Sequence, residues 1–256
     1  MNYKTILLAP FLLSALSFSG APVLAEDLPP AYYQAGASRV SVEETFTGAA
    51  FLPPVQLRAS EKNPLVLGLV NGGLAAWKVF SSGAPSGEAS SAYASAIPPG
   101  MANNWSSVAD WKGPKEQLYT YTVTNRLGMD VIKVKYAVSF YYGGTGKTAN
   151  SPAGSYIANF TVRPVSLEVK WGWHFDMDVV MSDPMNIGTV QRPVALMQAD
   201  LKWRVSTMLS KDGEVGIWTY SIDGNGNFKD LTSKLAALTK DIHAPAAAVN
   251  PAISWN

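Results

Sequence analysis

Hydrophobic and polar residues alternate along much of the second half of the chain. Residues 132–142 place Ile132, Val134, Tyr136 and further apolar side chains at every second position, with lysine and serine among the intervening ones. Residues 118–124 alternate in the same way, and a short polar connection joins the two runs. Period-2 alternation rich in aromatic and β-branched residues predicts a β-hairpin here.

The longest alternating run covers residues 165–179, and a second run at 195–209 follows it. At ~3.3 Å per residue, a single strand over the first run would reach roughly 50 Å, far beyond the usual strand length. We therefore expect Gly172 to mark a bend or bulge. Residues 214–222 predict one further strand.

A polar face opposite each apolar face is typical of antiparallel sheets that pack on a core with one side only. The chain is therefore predicted to be mainly β, as an antiparallel β-sandwich or an open, barrel-like sheet with long hairpins. Residues 230–242 carry leucines at helical spacing and predict one C-terminal helix. The Ala- and Pro-rich residues 244–256 predict a flexible tail.

The N-terminal part of the chain has a different organisation. Residues 1–25 have a positive Lys4, an apolar stretch, and small side chains at Val23 and Ala25, which is the layout of a secretory signal peptide. We expect an exported protein, periplasmic or extracellular. Residues 26–112 are interpreted as an N-terminal region whose Ser/Gly/Pro-rich segment 81–99 is a surface loop, and residues 113–243 as the β domain with its helix.

Charge and cysteine content exclude several classes of function. The chain has 20 Lys and Arg against 19 Asp and Glu, and the predicted leader contains one lysine and no acid. A neutral exported chain has no long-range field to attract phosphate backbones, so nucleic acid is not expected as a partner. The absence of cysteine excludes disulfides and thiol nucleophiles.

One group of titratable residues suggests a metal site. His174, Asp176 and Asp178 share one face of a predicted strand, and imidazole with carboxylates can hold Zn²⁺. The alternative is a solvated face whose carboxylates meet Lys202 and Arg204 on the neighbouring strand. The first interpretation would make the protein a metal-dependent hydrolase.

A second group has the oxygen spacing that opens a calcium loop. Asp223, Asn225 and Asn227 stand at the first three ligand positions of such a loop, but Phe228 and Lys234 stand where glycine and glutamate are required. A turn without an ion is the simpler interpretation, because Asn and Gly readily adopt turn conformations. Calcium or zinc are the only cofactors that these patterns suggest, and the favoured interpretation has none.

Aromatic residues outside the alternating runs are the remaining candidates for ligand binding. They are Trp105, Trp111, Tyr32 and Tyr33. Exposed rings on loops can stack on sugars or anchor a protein partner. The alternative is that the rings pack back onto the sheet.

These patterns favour an exported, soluble, non-enzymatic binding protein whose ligand is a glycan, a small molecule or an envelope protein. A different hypothesis is a membrane-active protein that inserts an amphipathic hairpin formed by residues 165–179 and 195–209. The metal-dependent hydrolase is the third hypothesis.

Overall fold

Two antiparallel β-sheets packed face to face make up the fold. The structure, a computed structural model, describes residues 28–47, 69–81, 92–99, 108–146, 153–210 and 213–232. The described residues confirm the predicted mainly β class and the sandwich, because the strands form two separate hydrogen-bonded sheets. The predicted signal peptide, residues 1–25, lies outside the described residues.

A short 3₁₀ helix, Pro30–Tyr33, precedes the strands. In chain order the strands are β1 (Ala35–Thr47), β2 (Val70–Asn71), β3 (Ala76–Ser81), β4 (Ala94–Ile97), β5 (Val108–Ala109), β6 (Lys112–Asn125), β7 (Asp130–Gly146), β8 (Tyr156–Val169), β9 (Trp173–Met181), β10 (Met185–Asn186), β11 (Ala195–Thr207), β12 (Val215–Asp223) and β13 (Phe228–Asp230). The first sheet has the order β1-β6-β7-β8-β4-β2, and β5 pairs with β7. The second has the order β13-β12-β11-β9-β3, and β10 pairs with β11.

The predicted hairpin is β6 with β7. Tyr119 lies opposite Tyr136 and belongs to an antiparallel ladder that covers most of both strands. In the turn, the side-chain oxygen of Asn125 accepts hydrogen bonds from the backbone N–H groups of Leu127 and Met129, each at 3.0 Å. The polar connection noted in the sequence is therefore a turn that its own asparagine closes.

The long run over residues 165–179 is two strands in two different sheets. Strand β8 ends at Val169 in the first sheet and β9 begins at Trp173 in the second. Gly172, at φ +78°, allows the sharp turn between them, so the predicted bend is confirmed. The predicted hairpin of 165–179 with 195–209 was wrong for its first half, since only β9 pairs with β11.

Strand β4 lies within the segment that the sequence predicted to be a surface loop. Ala94, Ala96 and Ile97 are fully buried, and β4 runs between β8 and β2. The Asn71 side-chain oxygen accepts the backbone N–H of Ser95 at 3.1 Å. The loop prediction for 81–99 was wrong at β4, because small side chains that suggest a loop also allow close packing in a core. Residues 82–91 lie outside the described residues.

Both sheets draw strands from the predicted N-terminal region, because β1 pairs with β6 and β3 pairs with β9. At the other end of the chain, Phe228–Asp230 form β13 on the edge of the second sheet. The predicted helix at 230–242 lies outside the described residues from position 233 onward, as does the predicted tail at 244–256.

Aromatic side chains from the two sheets meet in the middle of the core. Tyr119 stacks on Tyr136 with ring centroids 5.2 Å apart, and Tyr136 stacks on Trp218 at 5.4 Å. The hydroxyl groups of Tyr136 and Tyr220 are 2.7 Å apart and share a hydrogen bond. This pair joins β7 of the first sheet to β12 of the second and satisfies two buried polar groups together.

Burial also changes the acidity of these phenols. Desolvation raises the pKa of Tyr136 and of Tyr220 well above the ordinary tyrosine value, and it raises the pKa of Tyr121 to about 12. The fold therefore keeps all three phenols neutral to a higher pH than that at which an exposed tyrosine ionises.

We expect Tyr220→Phe to lower the free energy of unfolding by about 1–3 kcal/mol, because it leaves the buried Tyr136 hydroxyl without this partner. The double variant Tyr136→Phe/Tyr220→Phe should cost less than the sum of the two single variants. Denaturant unfolding of all four proteins measures the coupling. Strictly additive single-variant effects would contradict the shared hydrogen bond.

We also expect stability to fall in alkali. The buried tyrosines have a higher pKa in the folded state than the value of 10 expected in the unfolded chain. Their contribution to the free energy of unfolding is therefore fully present below pH 10 and is lost as the pH rises towards 12. Unfolding followed by circular dichroism should coincide with the appearance of phenolate absorbance. Gradual phenolate formation in a protein that stays folded would be the opposite result.

Candidate functional site

Three turns meet at one end of the sandwich. They connect β6 to β7, β8 to β9 and β11 to β12. The backbone N–H of Lys170 donates to the carbonyl of Val131 at 2.8 Å, and that of Met208 donates to the carbonyl of Gly172 at 2.9 Å. Main-chain hydrogen bonds therefore join residues 170–172 to the first turn's strand β7 and to the residue that follows β11.

These turns carry large apolar side chains that stand in solvent. Their exposed fractions are Leu127 49%, Met129 45%, Trp171 52%, Met208 54% and Leu209 70%. We call these five residues the turn-end surface. Exposed apolar side chains are common singly, but a group on adjoining turns is typical of a binding surface.

Tyr32 and Tyr33 lie beneath Trp171. Both tyrosines are buried, so they pack back onto the fold instead of standing exposed. The Tyr32 hydroxyl donates to the carbonyl oxygen of Trp171 at 3.0 Å, and the Tyr33 ring lies edge-on to the Trp171 ring at 6.5 Å. The structure thus places the two predicted ligand contacts as a support that fixes the position of an exposed tryptophan.

Trp171 was not among the predicted ligand contacts, because it stands at an apolar position of the alternating run 165–179. It lies outside the core because the chain turns at Gly172. A Cβ at that position would come within 2.7 Å of the Tyr33 ring. The glycine directly after the tryptophan was the available signal.

The surroundings of the turn-end surface are charged. Arg126 and Lys170 are exposed beside Leu127 and Trp171, and Glu214 is exposed on the third turn. An apolar centre with a polar rim of both signs is the usual composition of a protein–protein interface.

The other two aromatic candidates lie elsewhere. Trp111 is partly buried against a small core cluster of Ile97, Val108 and Tyr156. Its indole covers Gly144, where a Cβ would approach within 2.5 Å of the ring. Trp105 lies outside the described residues.

The three residues of the predicted metal site lie on the solvent-facing side of β9, at His174, Asp176 and Asp178. Asp178 lies opposite Lys202 on β11, and Asp176 lies opposite Arg204. On the other side, the Lys78 ammonium is 3.7 Å from the Asp178 carboxylate. The register therefore matches the predicted ladder of opposite charges, and within the described ranges no three His, Asp or Glu side chains are grouped as metal ligands.

The predicted calcium loop is a turn closed by its own side chain. Asp223 Oδ1 accepts the backbone N–H groups of Asn225 and Asn227 at 2.9 and 3.0 Å, and its Oδ2 accepts the Asn227 side-chain amide at 2.8 Å. Gly226 has φ +87°, which a glycine adopts easily. Both carboxylate oxygens are therefore engaged within the turn.

This turn also fastens the two sheets to each other, which the sequence did not predict. The carbonyl of Gly224 accepts the backbone N–H of Gly143 at 2.9 Å. The carbonyl of Gly226 accepts the Lys115 ammonium at 2.6 Å, and the same ammonium lies 5.0 Å from the Tyr142 ring centroid. The second sheet is thereby tied to β6 and β7 of the first.

Comparison with known proteins finds no matching family model, no similar curated protein and no similar solved structure. None of the helical residues that the structure describes belongs to a helix long and apolar enough to cross a membrane. What the protein does must therefore be inferred from its own surface.

We expect Asp223→Ala to lower the free energy of unfolding by about 1–3 kcal/mol, because three N–H donors lose a buried acceptor. The loss should be the same in calcium and in excess chelator, since the carboxylate serves the turn. Thermal unfolding of both proteins in both buffers measures it. A wild-type melt that rises with calcium, and a variant melt that does not, would restore the calcium interpretation.

Proposed function

We propose that this protein is an exported, non-enzymatic binding protein that docks a protein partner through the turn-end surface. The observation that supports the proposal is the group of five large apolar side chains, each about half exposed or more, on three hydrogen-bonded turns. The signal-peptide pattern of residues 1–25 supports a location outside the cytoplasm.

The residue types favour a protein as the ligand. Tryptophan, methionine and arginine are enriched at protein interfaces, and tryptophan is a frequent centre of binding energy. Met129 and Met208 add flexible side chains that adapt to an apolar partner. Small molecules are usually held in concave pockets, whereas these side chains project from turns.

Order at the surface also supports binding. Trp171 is held through its carbonyl by Tyr32 and through its ring by Tyr33. A side chain that is fixed before the complex forms loses less conformational entropy on binding. The buried tyrosine pair therefore gives Trp171 the properties of an anchor.

The membrane-hairpin alternative has less support. The apolar residues of β9 and β11 that would face lipid are fully buried in the sandwich, as Phe175, Met177 and Leu201 show. Exposing them to lipid would require the two sheets to separate. That separation would expose the aromatic core as well.

Site-specific photocrosslinking in the producing cells tests the proposal. A photoreactive residue at Leu209 should crosslink to one protein species, which mass spectrometry then identifies. Val190 is the matched control, because it is similarly exposed, at 72% against 70%, and lies in the connection at the opposite end of β11. Trp171→Ser should abolish the crosslink from Leu209 without changing the melting temperature.

Equal crosslinking from Leu209 and Val190 would contradict the proposal. Crosslinking from Val190 alone would also contradict it and would place the docking surface at the opposite end of the sandwich. Binding of the purified protein to phosphatidylcholine or phosphatidylglycerol vesicles, lost in Trp171→Ser, would show that the surface binds lipid. Binding to an oligosaccharide panel with the same dependence would show that it binds glycans.

A further inference from the structure

Two valines on the first strand are exposed although they face the core side of their sheet. Val40 lies opposite Tyr121 and Val42 opposite Tyr119 in the β1–β6 ladder. Residues directly opposite each other in an antiparallel pair point to the same face. The tyrosines are 1–2% exposed, whereas Val40 is 45% and Val42 is 49% exposed. The inner face of β1 is thus left uncovered by the described strands of the second sheet.

The second sheet covers the inner face of the first sheet only as far out as β12. Trp218 of β12 packs against Tyr121 with ring centroids 5.0 Å apart, and Tyr220 packs against Tyr119 at 4.8 Å. Strand β1 lies one strand further out than β6, and its outer edge has no partner among the described strands. The bulges of β1 and its exposed Arg39 and Glu43 protect the edge against pairing, but they leave Val40 and Val42 in solvent.

The described chain ends on the outer edge of β12. The backbone N–H of Leu231 donates to the carbonyl of Thr219 at 2.8 Å, and the Thr232 hydroxyl accepts the N–H of Thr219 at 3.1 Å. Because β13 is antiparallel to β12, residues 228–232 run along the edge of β12 in the direction of Val215. Residues 233–256 follow from that point.

The sequence of this segment fits the strip. Leu231, Leu235 and Leu238 repeat at helical spacing, while Lys234 and Lys240 lie at other positions. A helix over 232–242 would be about 15 Å long, and Val40 and Val42 are only ~7 Å apart along β1.

We propose that residues 232–242 form a helix that packs Leu235 and Leu238 on Val40 and Val42 and covers the open edge between β1 and β12. This inference does not depend on the partner proposed for the turn-end surface. The competing occupant is a second copy of the chain paired through β1, and the experiment separates the two.

The absence of cysteine permits a direct test. In the mature chain, residues 26–256, Val42→Cys is combined in turn with Leu235→Cys and Leu238→Cys, and disulfide formation is measured under mild oxidation. We expect an intramolecular disulfide in at least one pair. The control is Val165→Cys with the same partners, because Val165 is equally exposed, at 48%, but lies on β8, three strands from β1.

Equal disulfide yields from positions 42 and 165 would overturn the proposal, since an undocked segment reaches both. Disulfides that form only between molecules would show that a second copy covers β1.

A variant that ends at Thr232 gives a second readout. It should melt at a lower temperature than the full mature chain and exchange its β1 amide hydrogens at least ten times faster, with little change in β9. Val42→Asp should lower the melting temperature of the full chain and leave that of the truncated chain unchanged. Identical melting and β1 exchange in the full and truncated chains would refute the docked helix.

Discussion

The contact between the tyrosines of β6 and β7 and the aromatic residues of β12 is the interaction on which the rest of the structure depends. Each sheet alone has one apolar face and would expose it to water. Stacking of Tyr136 on Trp218 and the shared Tyr136–Tyr220 hydrogen bond join the two faces and satisfy the hydroxyls of Tyr136 and Tyr220 at the same time. Because a buried phenol without a partner is costly, this arrangement fixes the relative position of the sheets as well as their association.

The position of the turn-end surface follows from that core. Once β8 belongs to one sheet and β9 to the other, residues 170–172 must cross between the sheets at the end of the sandwich. Gly172 makes the crossing possible, and the residue before it, Trp171, is carried out of the core. Tyr32 and Tyr33 fill the space beneath it. The same change of sheet that builds the sandwich therefore leaves Trp171 exposed at its end.

The opposite side of the core is fixed by polar contacts. The turn closed by Asp223 presents its carbonyl groups to Gly143 and Lys115, so a feature that resembles half of a calcium loop ties the sheets together. In the same way, Asp176 and Asp178 lie opposite Arg204 and Lys202 on β11, and His174 lies opposite Ser206. Neither group has to bind an ion to account for its residues.

The strands of the second half of the chain could be predicted from alternation, because a period of two is a local property that each strand carries in its own residues. The sequence also predicted the bend at Gly172 and sheets that have one apolar and one polar face. Contacts between distant parts of the chain were needed to establish which sheet each half of residues 165–179 joins. The same holds for the burial of the small residues of β4 and for the position of Tyr32 and Tyr33 beneath a tryptophan. Alternation indicates which side chains avoid water, but it does not indicate which distant strand covers them. Pairing and burial depend on partners far along the chain, and so does a surface assembled from three separate turns.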